Sequence, residues 1–223
     1  MIFLGLPPTV ANGTNRVAIL LSSIGAVWGF NRHGVIEYRR LGPAVLPAIL
    51  GSVLGTLLAI QVGDVAFQKV LAFVMFGIAV FTVWDPIGRR YGGVGKALPE
   101  PSDDHPLGRW GLMLTFFFVG VYGGFIQVGV GFILLAVTTA WGMDLVRGNA
   151  LKVLVVLCFT PLALIIFAST GNVDWVAGLA LGGGTFLGGL FGVRLNLRMG
   201  HAWLKKVVAG VVVLMAIRLL VSG

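Results

Sequence analysis

Charged side chains are scarce in this sequence. Asp, Glu, Lys and Arg together make up 11% of the 223 residues, and only 8 of those residues are acidic. A soluble domain carries about 25% charged residues, so too few charges are present here to cover a surface that faces water. The composition excludes an ordinary water-soluble domain.

Residues that carry metal-binding or catalytic chemistry are also few. The single Cys158 lies in an apolar run, which excludes a disulfide framework. His33, His105 and His201 fall between the apolar runs and lack the spacing of metal ligands. Neither a nucleophile–base pair nor a pair of acids within an apolar run can be found. We therefore predict no metal, no cofactor and no enzymatic activity.

Apolar residues and glycine are abundant. Hydrophobic residues make up 57% of the chain, the mean hydropathy is +0.98 and 34 residues are Gly. A membrane-spanning helix needs about 20 apolar residues. Runs of that kind predict an all-α, polytopic membrane protein with about six transmembrane helices near residues 10–30, 41–61, 67–84, 148–168, 174–196 and 203–221.

The net charge of +8 comes from basic residues that lie mostly between the apolar runs. This distribution is typical of the positive-inside rule and of contact with anionic lipid headgroups, and it argues against nucleic acid as a partner. Met1–Val10 lacks a basic stretch, so we predict no cleavable signal peptide.

The apolar stretch 109–141 is too long for one ordinary span, and glycines interrupt its middle at 123–131. Dense glycine breaks a helix. The stretch is predicted to form a helical hairpin, either two full spans or a re-entrant pair of half-helices. The only long polar stretch, 85–108, is a linker rich in proline.

The two sides of this linker resemble each other. A shift of 137 residues aligns Asn12 with Asn149 and Gly34 with Gly171. Gly51 and Gly55 then align with Gly188 and Gly192, within small-residue faces that we expect to pack helices closely. We predict a first repeat at 1–84, a cytoplasmic linker at 85–108 and a second repeat at 109–223.

Charge predicts the orientation of the repeats. Basic residues cluster at 32–40, in the linker and at 194–206, whereas 169–174 has none. If 109–141 enters the membrane and returns, all three basic regions lie on the cytoplasmic side. Equivalent loops of the repeats then face opposite sides, so the repeats are inverted, as in many secondary transporters. The counterpart of hairpin 109–141 would precede Met1, so the first repeat is expected to lack it.

Polar residues recur at two helix starts. Asn12, Thr14, Asn15 and Arg16 begin the first span, and Asn149 and Lys152 occupy the equivalent region of the second repeat. Helix N-termini favour anions, and amides and cations add charge-assisted hydrogen bonds. N-capping together with snorkelling by Arg16 and Lys152 is the structural alternative.

A second candidate is the glycine-rich break itself. Gln127, Gly129 and Gly131 lie there, where an interrupted helix can turn backbone amides toward a ligand. Close helix packing is the alternative explanation for these glycines.

The segments 5–16 and 122–132, with the Gly51–Gly55 face, resemble those of the sulfite exporter TauE/SafE family of bacterial permeases. The resemblance implies a multi-pass protein of the bacterial cytoplasmic membrane that transports sulfite, an organosulfonate or a related sulfur-containing or organic anion. The missing first hairpin is a departure from the family pattern.

We therefore expect a permease that moves a small anion through a site formed by the residues named above. An anion channel and a non-transporting truncated membrane subunit are the alternatives. The glycine-rich faces are also compatible with a homodimer.

Overall fold

A computed structural model describes residues 5–38, 41–84 and 108–195. Within these ranges the chain is all helical, as predicted, and it forms seven helices. They are α1 Pro8–Arg32, α2 Leu41–Gln61, α3 Asp64–Trp84, α4 Gly108–Phe125, α5 Val130–Ala140, α6 Leu145–Ser169 and α7 Trp175–Leu195. Three of them, α2, α6 and α7, are long and apolar enough to cross a membrane. The fold is consistent with a polytopic membrane protein.

The predicted spans agree with the helices to within three residues at each end wherever the chain is described. Local signals set these ends. Pro8 occupies the first turn of α1, where its missing N–H costs nothing. The Asp144 carboxylate caps α6 by accepting from the N–H groups of Val146 and Arg147 at 2.9 and 3.0 Å. The predicted linker and the predicted span 203–221 fall almost entirely outside the described residues.

The stretch 109–141 breaks where its glycines predicted. Helix α4 ends at Phe125, and α5 starts after Gly129, whose φ of +79° is left-handed. A Cβ on Gly123 would lie 3.0 Å from Cγ2 of Val130, so the chain folds back at the break. The 11 residues of α5 span about 16 Å, well short of the roughly 30 Å of a hydrocarbon core. This length favours a re-entrant half-helix over a second full span.

Helices α1 and α6 run antiparallel. The hydroxyl of Thr14, near the start of α1, accepts the N–H of Asp174, just beyond the end of α6, at 2.9 Å. At the opposite end, Nη1 of Arg147 in the first turn of α6 lies 2.8 Å from Oε1 of Glu37, in the loop after α1. Each helix thus begins beside the end of the other.

The same two helices are related by the predicted offset. Each has 25 residues. Their first residues, 8 and 145, and their last residues, 32 and 169, are both 137 positions apart. Glycines with positive φ recur at the same spacing, Gly5 with Gly142 and Gly34 with Gly171. Equal length, equal offset and opposite direction support the proposal of inverted repeats.

Helix α2 packs against α4 through glycines on both helices. A Cβ on Gly51 would overlap the carbonyl oxygen of Phe117, and one on Gly55 would overlap that of Val121. From the other side, a Cβ on Gly120 or Gly124 would overlap the backbone of α2. The two backbones therefore touch, the arrangement that small residues allow in membranes. This contact holds α4 at the position where its break begins.

Helix α7 lies along α1 through part of its glycine-rich face. Gly182 lies against Leu21, and Gly189 against the carbonyl of Ser22. A Cβ on Gly188 or Gly192, which are equivalent by the offset to Gly51 and Gly55, would meet nothing within 4 Å in the described part of the chain. Within the described part of the chain, the contacts of Gly182 and Gly189 support the predicted packing role.

One cluster of buried apolar residues lies between α2, α4, α5 and α6, beside the break. Its fully buried members include Ala44, Ala48, Phe116, Leu134, Val155 and Phe159. Phe159 also lies against Gly123, because a Cβ there would come within 3.0 Å of its ring. Gly123 thus sits against a closely packed wall, whereas Val128 in the middle of the break is exposed.

Candidate anion-binding site at the helix break

The last four carbonyl groups of α4 all have hydrogen-bond donors. The N–H of Ile126 donates to Tyr122 O at 2.7 Å. Arg16 donates from Nη2 to Gly123 O at 3.2 Å and to Gly124 O. The Thr56 hydroxyl also donates to Gly124 O at 3.1 Å, and Asn12 Nδ2 donates to Phe125 O at 2.9 Å. Unsatisfied backbone groups are costly where water is absent, so three side chains make this helix end tolerable inside the fold.

Arg16 is completely buried. Its Nη1 donates to Oε1 of Gln127 at 3.1 Å, and its Cζ lies 4.8 Å from the centre of the Phe167 ring. No carboxylate of the described residues lies within ion-pair distance of it. Its charge instead faces the C-terminal end of α4, where the helix dipole is negative, and the aromatic ring adds a cation–π contact.

The described acidic residues are all engaged with partners other than Arg16. Asp64 accepts from Thr9, Asp144 caps α6 and Asp174 accepts the N–H of Ala177 at 3.0 Å. Glu37 pairs with Arg147. None of these four carboxylates is bonded to a residue of the break.

The start of α5 presents the opposite helix end. No side chain caps it at Gly129, and the first N–H groups of any helix lack acceptors within that helix. Lys152 of α6 reaches this turn, because a Cβ on Gly131 would lie 3.7 Å from its Cδ and 3.8 Å from its Nζ. A cation thus adds to the positive end of a helix dipole, where an anion would be favoured.

Lys152 has no hydrogen bond or ion pair with the described part of the chain, so nothing there neutralises it. Two further donors near the break lack acceptors as well. Nε of Arg16 and Nε2 of Gln127 are buried without a partner in the described residues. Buried donors are normally paired. The site therefore offers several N–H donors and a positive charge, which is the complement of an oxygen-bearing anion.

The structure gathers six of the nine residues predicted for the site around the break: Asn12, Arg16, Gln127, Gly129, Gly131 and Lys152. Thr14 is fully buried, and its hydroxyl accepts the N–H of Asp174 at the start of α7. Asn15 and Asn149 are half-buried, and neither side chain has a hydrogen bond to the described residues.

Two residues of the site escaped sequence reasoning. Thr56 gave a weak signal, as a hydroxyl directly after a packing glycine in an apolar helix. Phe167 gave none. A phenylalanine in an apolar helix does not by itself indicate that its ring contacts Arg16, which is 151 positions earlier in the chain.

The fold is that of a helical membrane protein with a break between α4 and α5, and buried N–H donors and two cations lie beside that break. Comparison with known families gives the class more closely. The family model described as "Sulfite exporter TauE/SafE" matches residues 1–219. The chain belongs to this family of membrane transporters, so it is a transporter and not an enzyme.

Two curated proteins illustrate the similarity. A protein of a Sinorhizobium species named "Probable membrane transporter protein ORF9" is 28% identical over 99% of this chain and 81% of its own length. A "Probable membrane transporter protein" of Haemophilus influenzae is 24% identical over 93% of this chain and 78% of its own. No solved structure matches the chain.

Proposed function

We propose that this protein is a multi-pass secondary transporter of the bacterial cytoplasmic membrane that moves a small oxyanion, with sulfite or an organosulfonate as the substrate class. The observation that carries the proposal is Lys152 Nζ, 3.8 Å from the Cβ position of Gly131 at the uncapped start of α5. The family description, which names sulfite, supports the substrate class.

The proposed binding mode follows from the available donors. The anion's oxygens accept from the first-turn N–H groups of α5 near Gly129 and Gly131, and Lys152 neutralises its charge. Gln127 contributes an amide N–H, and the half-buried Asn149, three residues before Lys152, lines the approach. Because Gln127 is buried and Lys152 is half-buried among apolar residues, each of these ionic contacts is stronger than it would be in water.

Arg16 and Asn12 take part by holding the end of α4, and Thr14 by holding the start of α7 against α1. Asn15, which the offset equates with Lys152, lies on α1 and is proposed to line the path in the first repeat. The antiparallel pair α1 and α6 supports alternating access, in which inverted repeats exchange roles as the site opens to either side.

Uptake by proteoliposomes tests the proposal. The purified protein would be reconstituted, and initial rates would be measured with radiolabelled sulfite, with methanesulfonate and acetate as competitors. Saturable uptake that falls at least about tenfold in Lys152→Met is expected, since a lost charge-assisted contact is worth roughly 1.5–3 kcal/mol.

Lys69→Met is the matched control, because Lys69 is exposed on α3 and outside the site. No uptake above that of empty liposomes, or equal rates in Lys152→Met and the wild type, would contradict the proposal. Large currents under voltage clamp, far above carrier rates, would identify a channel instead.

A further inference from the structure

The interaction between Arg16 and Gln127 fixes which way the Gln127 amide points. A guanidinium has donors and no acceptor, so only the amide oxygen of Gln127 can face Nη1 of Arg16, as observed at 3.1 Å. The Nε2 amide group must then point elsewhere. Gln127 is only 4% exposed, and this Nε2 group is buried without an acceptor in the described residues.

The other contacts of Arg16 are to the protein backbone. Nη2 donates to the carbonyls of Gly123 and Gly124, and Cζ of the guanidinium lies over the Phe167 ring. One nitrogen, Nε, has no acceptor in the described residues. The two terminal nitrogens thus donate to three acceptors. Through them, Arg16 links the end of α4 to the side chain of Gln127.

Arg16 and Lys152 face helix ends of opposite sign. The negative end of α4 offsets the charge of Arg16, whereas Lys152 adds to the positive end of α5. An anion at the break therefore gains more from Lys152, whose charge nothing in the described chain offsets. Arg16 instead resembles a fixed cap on a helix end.

We infer that Arg16 is a positioning residue for transport. It holds the end of α4 and turns the Gln127 amide so that Nε2, and not the amide oxygen, is offered to the anion. Its effect on substrate therefore passes through Gln127 rather than through a direct contact. This inference rests on the proposed function for its transport readout, and on the hydrogen bonds alone for its structural readout.

Lysine cannot replace arginine in this role. An ammonium group is a single point, whereas the planar guanidinium reaches three acceptors from two nitrogens. Arg16→Lys keeps the charge and loses the geometry. It therefore separates positioning from simple neutralisation.

A double-mutant cycle tests the inference. KM for sulfite uptake into proteoliposomes would be measured for Arg16→Lys, for Gln127→Leu and for the two together. Each single change is expected to raise KM about tenfold, with a smaller effect on the maximal rate. The double variant is expected to remain at about tenfold, because both changes remove the same amide contact. A product of effects, about a hundredfold, would mean that Arg16 contacts the anion itself and would overturn the inference.

Hydrogen exchange of residues 122–129 gives a readout independent of transport. Arg16→Lys is expected to speed exchange of this segment several-fold, whereas Arg32→Lys, on the exposed end of the same helix, leaves it unchanged. Equal exchange in the wild type and Arg16→Lys would overturn the inference. If the wild type moved no anion, the proposed function would fail and this measurement would still decide the role of Arg16.

Gln127→Glu tests the same inference without changing Arg16, so the test remains available if the Arg16→Lys variant does not fold. The new carboxylate would bind Arg16 Nη1 and offer the anion no donor, so KM is expected to rise above that of Gln127→Leu through charge repulsion. An unchanged KM in Gln127→Glu would overturn the inference.

Discussion

Lys152 lies over Gly131, with its Nζ 3.8 Å from the position of a Cβ at residue 131. The lysine belongs to α6, and the glycine to the first turn of the half-helix α5. Their contact brings a positive side chain to a positive helix end, an arrangement that is unfavourable until an anion lies between them. This relationship makes residue 131 a direct probe of the proposed site.

Gly131→Ala is expected to weaken anion binding without unfolding the protein. The added methyl group would meet Lys152 at ordinary contact distances of 3.7 and 3.8 Å, so it fits, but it fills space above the first-turn N–H groups. KM for sulfite uptake should rise several-fold while the melting temperature stays within about 2 °C. Gly183→Ala, which meets nothing within 4 Å among the described residues, is the control. A lower KM in Gly131→Ala would contradict the assignment.

Gly129→Ala should behave differently, because its φ of +79° is one that residues with a Cβ adopt at a cost of about 1–2 kcal/mol. We expect a lower melting temperature together with reduced uptake. Gly129→Asn, a residue that tolerates this conformation better, should recover part of the stability. Equal melting temperatures for Gly129→Ala and Gly131→Ala would argue against a strained turn at the break.

Gly55→Ala is expected to separate α2 from α4. Its Cβ would overlap the Val121 carbonyl, and neither backbone can give way without loss of the close packing. The protein should lose several degrees of thermal stability in detergent, measured by fluorescence-detected size exclusion after heating. Gly42→Ala on the same helix meets nothing within 4 Å in the described chain and should be neutral. Similar stability of the two variants would contradict the packing described here.

Asn12 and Asn149 are equivalent by the repeat offset and yet should respond differently to alanine. Asn12→Ala leaves the part-buried Phe125 carbonyl without its 2.9 Å donor, at a cost of about 1–3 kcal/mol. Asn149 makes no hydrogen bond to the described residues, so Asn149→Ala should keep stability and change uptake only. The pair would be compared by thermal unfolding and by sulfite uptake. A stability loss confined to Asn149→Ala would reverse these roles.

Loop orientation tests the proposed inverted repeats. In a Cys158→Ala background, His33→Cys should react with a membrane-impermeant maleimide only from the cytoplasmic side. Thr170→Cys, 137 positions later, should react only from the outside, because the basic loop is retained in the cytoplasm. Both residues follow the end of a helix and are exposed. Labelling of both from one side would rule out the inverted arrangement.

Much of the fold could be predicted from the sequence because apolar length, glycine density and capping residues are local signals. The run 41–61 is the helix Leu41–Gln61 itself, and the glycines of 123–131 include the turn at Gly129. The choice left open at 109–141, between two spans and a re-entrant pair, needed the observed helix lengths. The short α5 favours the re-entrant pair.

The sequence by itself determined that this protein is a bundle of apolar helices with a break, and it predicted Arg16 and Lys152 as cations near two helix starts. Only the tertiary structure decided what each cation faces. Arg16 meets carbonyls 107 and 108 residues away at the negative end of α4, whereas Lys152 meets the positive end of α5. The sign of the potential at a side chain depends on which helix end lies opposite it in space, and no pattern of neighbouring residues encodes that.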